Sequence, residues 1–138
     1  MKCKKIVGGI TSGKLLFSDQ PINFLAMLNL KTGQITDTNH KLNNLTLKNN
    51  ILVFPNAIGS SVGAYTIFSL KNNNTAPNGI ICTNSVDITT ASGCAISNIP
   101  LVCIEKNNYE ILKNHYGERG THSKEVILDA ENENISFD

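Results

Sequence analysis

At 138 residues the chain has the length of one domain and can bury a core of its own without staples. Twelve basic against eleven acidic side chains leave a formal charge of +1, and aromatics make up only 6% with no tryptophan. That balance excludes the basic stripe that neutralises phosphates along nucleic acid, and the scarcity of aromatics excludes a base-stacking platform. No apolar run approaches the roughly 20 residues of a membrane span. The opening MKCKKIVGGITSGK has lysines but no apolar run of signal-peptide length, so a cytoplasmic chain is expected.

In chain order, KKIVGG and KLLFS predict strands joined through a glycine-containing ITSG turn. INFLAMLNL fits a strand or a short helix, because brief apolar runs carry no decisive period. Thr32-Gly33 marks a turn before a strand around Ile35. LTLKNNILVF predicts two strands about a turn at Asn49-Asn50, and residues 51–54 are the clearest buried strand. In SVGAYTIFSL, Val62 and Tyr65, then Ala64, Ile67 and Phe68, recur at helical spacing, which predicts a helix on a sheet with a serine N-cap. GIICT is another buried strand, SVDITTASGCA a short helix with Gly93 near its end, and IPLVCIE a further strand. NNYEILKNHY predicts a helix capped by Asn108, GERGTHSKE a solvated charged loop, and the remainder a hairpin with strands at 126–128 and 135–137. No repeat or linker divides the chain, so residues 1–138 are expected to form one α/β domain, a sheet-rich core with helices on one side.

Cys3, Cys82, Cys94 and Cys103 show no C-x-x-C pair or tight ligand spacing, and two of them fall inside apolar runs. They are expected to be structural thiols, so this chain supplies no metal ligand and any metal must come from elsewhere. His40, His115 and His122 are scattered, and Asp19, Asp37 and Asp87 are isolated carboxylates.

The strongest local feature is LVFPNAIGSSVGAY, residues 52–65. A buried strand ends, proline intervenes, and Gly59-Ser60-Ser61 opens a helix. Unpaired N–H groups and the positive end of the helix dipole then favour an anion or a deprotonated serine at one spot. Equally, Ser60 or Ser61 can simply cap the helix. The glycines are misplaced for a G-x-S-x-G elbow, and no Gly-Lys-Ser/Thr makes a phosphate loop.

Taken in order, these motifs resemble the small subunit, or swivelling domain, of the aconitase X family. The resemblance runs through VGG and SGKLLFSDQPINF, KTGQITDTNHKL, LVFPNAIGSSVGAY (its most specific part), TAPNGIICTNSVDITTASGCAISNIPLV and VILDAENENISFD. It implies a compact swivelling β/β/α domain. It also implies a hydro-lyase subunit, active only in a heterodimer with a large subunit that carries a four-iron four-sulfur cluster on three cysteines. By the same resemblance Ser60 is the base, with Ser61 the alternative, and Gly59 and Ser61 contact a small phosphorylated hydroxy acid. The implied reaction is dehydration of (R)-5-phosphomevalonate to trans-anhydromevalonate 5-phosphate in an archaeal mevalonate route to isoprenoids; the runner-up is dehydration of cis-3-hydroxyproline. A reading of another class is a stand-alone binding or phosphocarrier domain with His40 as the carrier. Three positions depart from the family pattern. Ile58 replaces a small or basic residue, Ala26-Met27 replaces a glycine pair, and Val62 stands where true aconitases carry a carboxylate-gripping arginine.

Overall fold

The apolar runs of the sequence become strands whose successive side chains point to opposite faces of one sheet. The computed structural model describes residues 1–119 and 121–137. Its elements are β1 (Lys4–Val7), β2 (Ile10–Phe17), α1 (Phe24–Met27), β3 (Asn50–Val53), α2 (Gly63–Asn72) and β4 (Gly79–Thr83), then α3 (Ile88–Ser97), β5 (Leu101–Ile104), α4 (Lys106–Tyr116), β6 (Thr121–Asp129) and β7 (Asn134–Phe137). Seven strands lie in the order β1-β5-β4-β3-β2-β6-β7. The inner four are mutually parallel, and β1, β6 and β7 join antiparallel at the two ends.

Leu16, Leu52, Ile80, Cys82 and Leu101 face one core, whereas Leu15, Phe17, Ile51, Val53, Ile81 and Val102 face another. Parallel strands buried on both faces read as unbroken apolar runs, which is why β3, β4 and β5 stand out in the sequence. The three returns between parallel strands cross the first face, bringing Phe24 of α1, Ile67 and Leu70 of α2 and Cys94 of α3 into its core. The expected placement of helices on one side therefore holds for α1, α2 and α3. Helix α4 lies on the other face, because Tyr109 and Leu112, one turn apart, form its apolar stripe and pack on Phe17, Val102 and Ile104.

Several local expectations are corrected. ITSG belongs to β2, and the chain turns instead at Gly8-Gly9, with Gly9 at φ +128°. INFLAMLNL contains the single-turn helix α1, capped by Asn23, whose side chain accepts the Ala26 N–H at 3.1 Å. Ile35 and the LTLK run form only isolated bridges, Leu28 with Ile35 and Gln34 with Thr46. Asn44 and Asn49 take left-handed φ of 67° and 64° there, bending the chain before a ladder can extend. Helix α3 continues through Gly93 and ends at left-handed Asn98 (φ 54°). Glu105, not Asn108, precedes α4; the Asn108 amide donates to Lys2 O at 3.5 Å. GERGTHSKE is not all solvated loop: Arg119 Nε donates to Lys41 O at 3.1 Å, and β6 begins at Thr121.

Candidate functional site

The parallel strands β2, β3, β4 and β5 run in one direction, so their carboxyl ends share one edge, where ligand sites of open α/β sheets gather. Three connections converge at this edge: residues 18–23, 54–62 and 84–87. After β3, Phe54 is fully buried and meets Phe24 edge-on, with ring centres 5.8 Å apart. The backbone then ties itself to both neighbours. Ile58 N–H donates to Ile22 O at 3.0 Å, and Ala57 N–H donates to Asp87 Oδ1 at 2.9 Å.

Asp87 thereby holds two elements together. Its carboxylate also accepts the Thr90 N–H at 2.9 Å and the Thr90 hydroxyl, which caps α3. It was an isolated carboxylate in the sequence and is a structural clasp in the fold. The signal for it was there: an Asp one residue before an apolar helix start and three before Thr is a capping pattern. Asn23 is a second residue that sequence reasoning passed over. It caps α1, and its amide fills the space where a side chain on Gly59 would begin. Gly59 has φ +87°, so glycine is required there for both conformation and room.

Beyond Gly59, both serines are exposed. Ser60 Oγ accepts the Val62 N–H at 3.1 Å. Ser60 O accepts Gly63 N–H at 2.9 Å, Ser61 O accepts Ala64 N–H at 3.1 Å, and Val62 O accepts Tyr65 N–H at 2.9 Å. The residue at the N-cap position of α2 is Val62, with helical φ and ψ, so neither serine caps the helix in the expected sense. The free donors are likewise displaced from the expected first turn. The amides of residues 62–65 are consumed in the entry turn, and those of Gly59, Ser60 and Ser61 have no acceptor among the described residues. The two serines differ chemically: Ser60 has an N–H already directed at its oxygen, whereas Ser61 Oγ has no hydrogen bond among the described residues.

The carrier reading of His40 fails. The ring is buried, its Nδ1 accepts the Leu42 N–H at 3.0 Å, and its Nε2 donates to Pro21 O at 3.0 Å. Neither nitrogen is left to receive a phosphoryl group.

Cys82, Cys94 and Cys103 are buried, all four cysteines are free, and no three His, Cys, Asp or Glu side chains among the described residues could hold a metal ion. Burial, then the nearby Asp87 carboxylate, pushes the Cys94 thiol from an ordinary 9.0 up to about 12. Burial also raises Cys82 well above its ordinary value. An iron–sulfur cluster needs thiolates at hand, and these residues do not fit one.

A pH dependence follows. The unfolded thiols ionise near their ordinary value while the folded ones stay protonated, so above it the unfolded state holds fewer protons. Stability is fully present below about pH 8.5 and falls as pH rises, by about 1.4 kcal/mol per pH unit for each such thiol. Urea midpoints at about pH 8 and about pH 10 should show the loss, and Cys94→Ala should remove about a third of it or less, because burial also raises Cys3 (to about 11), Cys82 and Cys103.

Comparison with known proteins yields consistent findings. The family model for the aconitase X swivel domain matches residues 1–136. The phosphomevalonate dehydratase small subunit of Methanococcoides burtonii is 38% identical over 115 residues, covering 83% of this chain and 83% of that protein. The protein of the same name from Thermococcus kodakarensis is 40% identical over 102 residues, covering 74% of this chain and 76% of its own. The crystal structure of Thermococcus kodakaraensis aconitase X in its holo-form matches with a TM-score of 0.82 at 33% identity, covering 99% of this chain and 95% of that one.

Proposed function

Because the chain belongs to the aconitase X swivel-domain family, we infer that it is the small subunit of a two-chain hydro-lyase that dehydrates (R)-5-phosphomevalonate to trans-anhydromevalonate 5-phosphate. The substrate is taken from the names its relatives carry. The observation that carries the role of this chain is the exposed Ser60 hydroxyl, whose oxygen already accepts the Val62 N–H.

Ser60 acts as the base. Its oxygen takes the proton from the carbon beside the hydroxyl-bearing one, the C–H electron pair becomes the new double bond, and the hydroxyl departs with its own pair as hydroxide, which takes a proton from solvent to become water. A serine is ordinarily too weak an acid to be present as alkoxide, so its oxygen must be stabilised. The Val62 amide, which donates to this oxygen at 3.1 Å, is a fixed donor that favours its alkoxide form. Gly59 and Ser61 line the approach, and the bulk of Val62 beside them fits a substrate without the extra carboxylate of a tricarboxylic acid.

Lewis-acid help for the departing hydroxyl is the chemistry that a four-iron four-sulfur cluster on the larger chain would supply. Residues 1–138 act as one swivelling domain of a cytoplasmic heterodimer; among the described residues no helix is long and apolar enough to cross a membrane.

The test is an anaerobic assay of the two chains together. Water loss from (R)-5-phosphomevalonate with no turnover of cis-3-hydroxyproline is expected. Turnover of the imino acid alone would move the assignment to the runner-up.

A further inference from the structure

We propose that Asp87 is a positioning residue for Ser60: its carboxylate, with the first turn of α3 behind it, sets the pose of the serine loop. The proposal rests on the dehydratase reading above and deepens it, since it names what holds the base in place.

The loop from Ala57 to Gly63 stands with both feet on the start of α3. At the near foot, Ala57 N–H donates to Asp87 Oδ1 at 2.9 Å. At the far foot, a methyl group on Gly63 would meet Thr89 Cγ2 at 3.2 Å, so the α2 backbone abuts the first turn of α3 directly. Gly59, Ser60 and Ser61 form the span between the feet. Behind that span the two helices are packed tightly. A Cβ on Gly93 of α3 would stand 3.0 Å from Ile67 Cβ and 3.3 Å from Ala64 Cα of α2. The far foot is therefore fixed by core packing and the near foot by hydrogen bonds.

Those hydrogen bonds are few. On the β2 side, Asn56 O accepts Ile22 N–H at 3.3 Å, and Ile58 N–H donates to Ile22 O at 3.0 Å. On the α3 side, Asp87 is, among the described residues, the only side chain outside residues 54–62 that hydrogen-bonds to them. Its carboxylate is locked in turn, because Oδ2 accepts the Thr90 N–H at 2.9 Å and the Thr90 hydroxyl reaches the two oxygens at 2.9 and 3.1 Å. Thr90 itself is fully buried. Ser60, by contrast, is exposed, and its side-chain bond goes to Val62 within the loop, so its pose follows from where the feet stand. A base must lie within hydrogen-bond reach of the proton it takes, and a misplacement of about 1 Å can lower the rate about a hundred-fold.

Capping and positioning are separable at this residue. Serine caps a helix about as well as aspartate. Its single oxygen, engaged by Thr90, leaves Ala57 without the second oxygen that the carboxylate provides.

The experiment assays full-length Asp87→Ser and Asp87→Ala in complex with the larger chain, anaerobically, with melting temperature measured beside turnover. Asp87→Ser should melt near wild type and Asp87→Ala lower, yet both should lose about tenfold or more in kcat with KM within about twofold. A purely structural role would make turnover follow melting and leave Asp87→Ser active. In a Ser60→Ala background, Asp87→Ser should lower the residual turnover by less than about twofold, because positioning acts through that serine. Wild-type kcat in Asp87→Ser would overturn the positioning role alone, as would the same tenfold loss repeated in the Ser60→Ala background. A wild-type complex that fails to dehydrate the substrate would instead overturn the functional reading, and the positioning role with it.

Discussion

Ser60→Ala in the assembled enzyme should lower turnover at least about a hundred-fold, the ordinary scale for loss of a positioned base. The protein around it should barely notice. The serine is exposed, and its recorded side-chain contact is the Val62 N–H at 3.1 Å, which water can satisfy in the variant. A lost contact of this capping type costs about 0.5–2 kcal/mol, and an exposed loop belongs at the lower end of that range. Melting temperature and affinity for the larger chain should therefore hold while activity collapses. Ser61→Ala is the internal control. Its hydroxyl lacks an N–H directed at it, so its loss should appear mainly as a rise in KM of about tenfold or less. Equal collapse of kcat in both variants would remove the distinction between the serines.

Gly93→Leu should destabilise the isolated chain by about 2–3 kcal/mol, the upper part of the range for forcing bulk into a packed core. A Cβ at Gly93 would stand 2.6 Å from Ile67 Cδ1, 3.0 Å from Ile67 Cβ and 3.3 Å from Ala64 Cα. Ile67 is buried, so neither helix can yield without opening the core between α2 and α3. The gain in helix propensity over glycine returns about 1 kcal/mol at most, less than the clash takes away. For a chain of this size the net loss corresponds to a fall in melting temperature of roughly 8–12 °C. Both helices direct their first residues at the serine loop, so the same wedge should lower turnover in the complex. An unchanged melting temperature would mean that the crossing is looser than these distances imply.

The same glycine shows where local signals mislead. In a short apolar run it resembles a helix stop, yet it serves the crossing with α2, and the actual stop is Asn98, left-handed at φ 54° two residues before Pro100. Residues 28–48 posed the opposite problem. Leu45 and Leu47 alternate with polar residues as in a strand, but the asparagines bend the backbone, and the apolar side chains cover the sheet without extending it. The strands β3, β4 and β5 were legible because burial on both faces leaves an unbroken apolar record. Gly59 and Ser60 were legible because their chemistry is contiguous. Asp87 lies thirty residues beyond the amide it holds, and no local pattern links the two. His40 sits in a polar stretch and looked available, whereas Pro21 and Leu42 occupy both its nitrogens.

The most direct test of the central claim is to hold the larger chain fixed, anaerobically, and add this chain in increments while following dehydration of (R)-5-phosphomevalonate. Turnover should be absent with either chain alone, rise with each addition and level off at an equimolar ratio. Full activity from the larger chain by itself, or none at any ratio, would contradict the account.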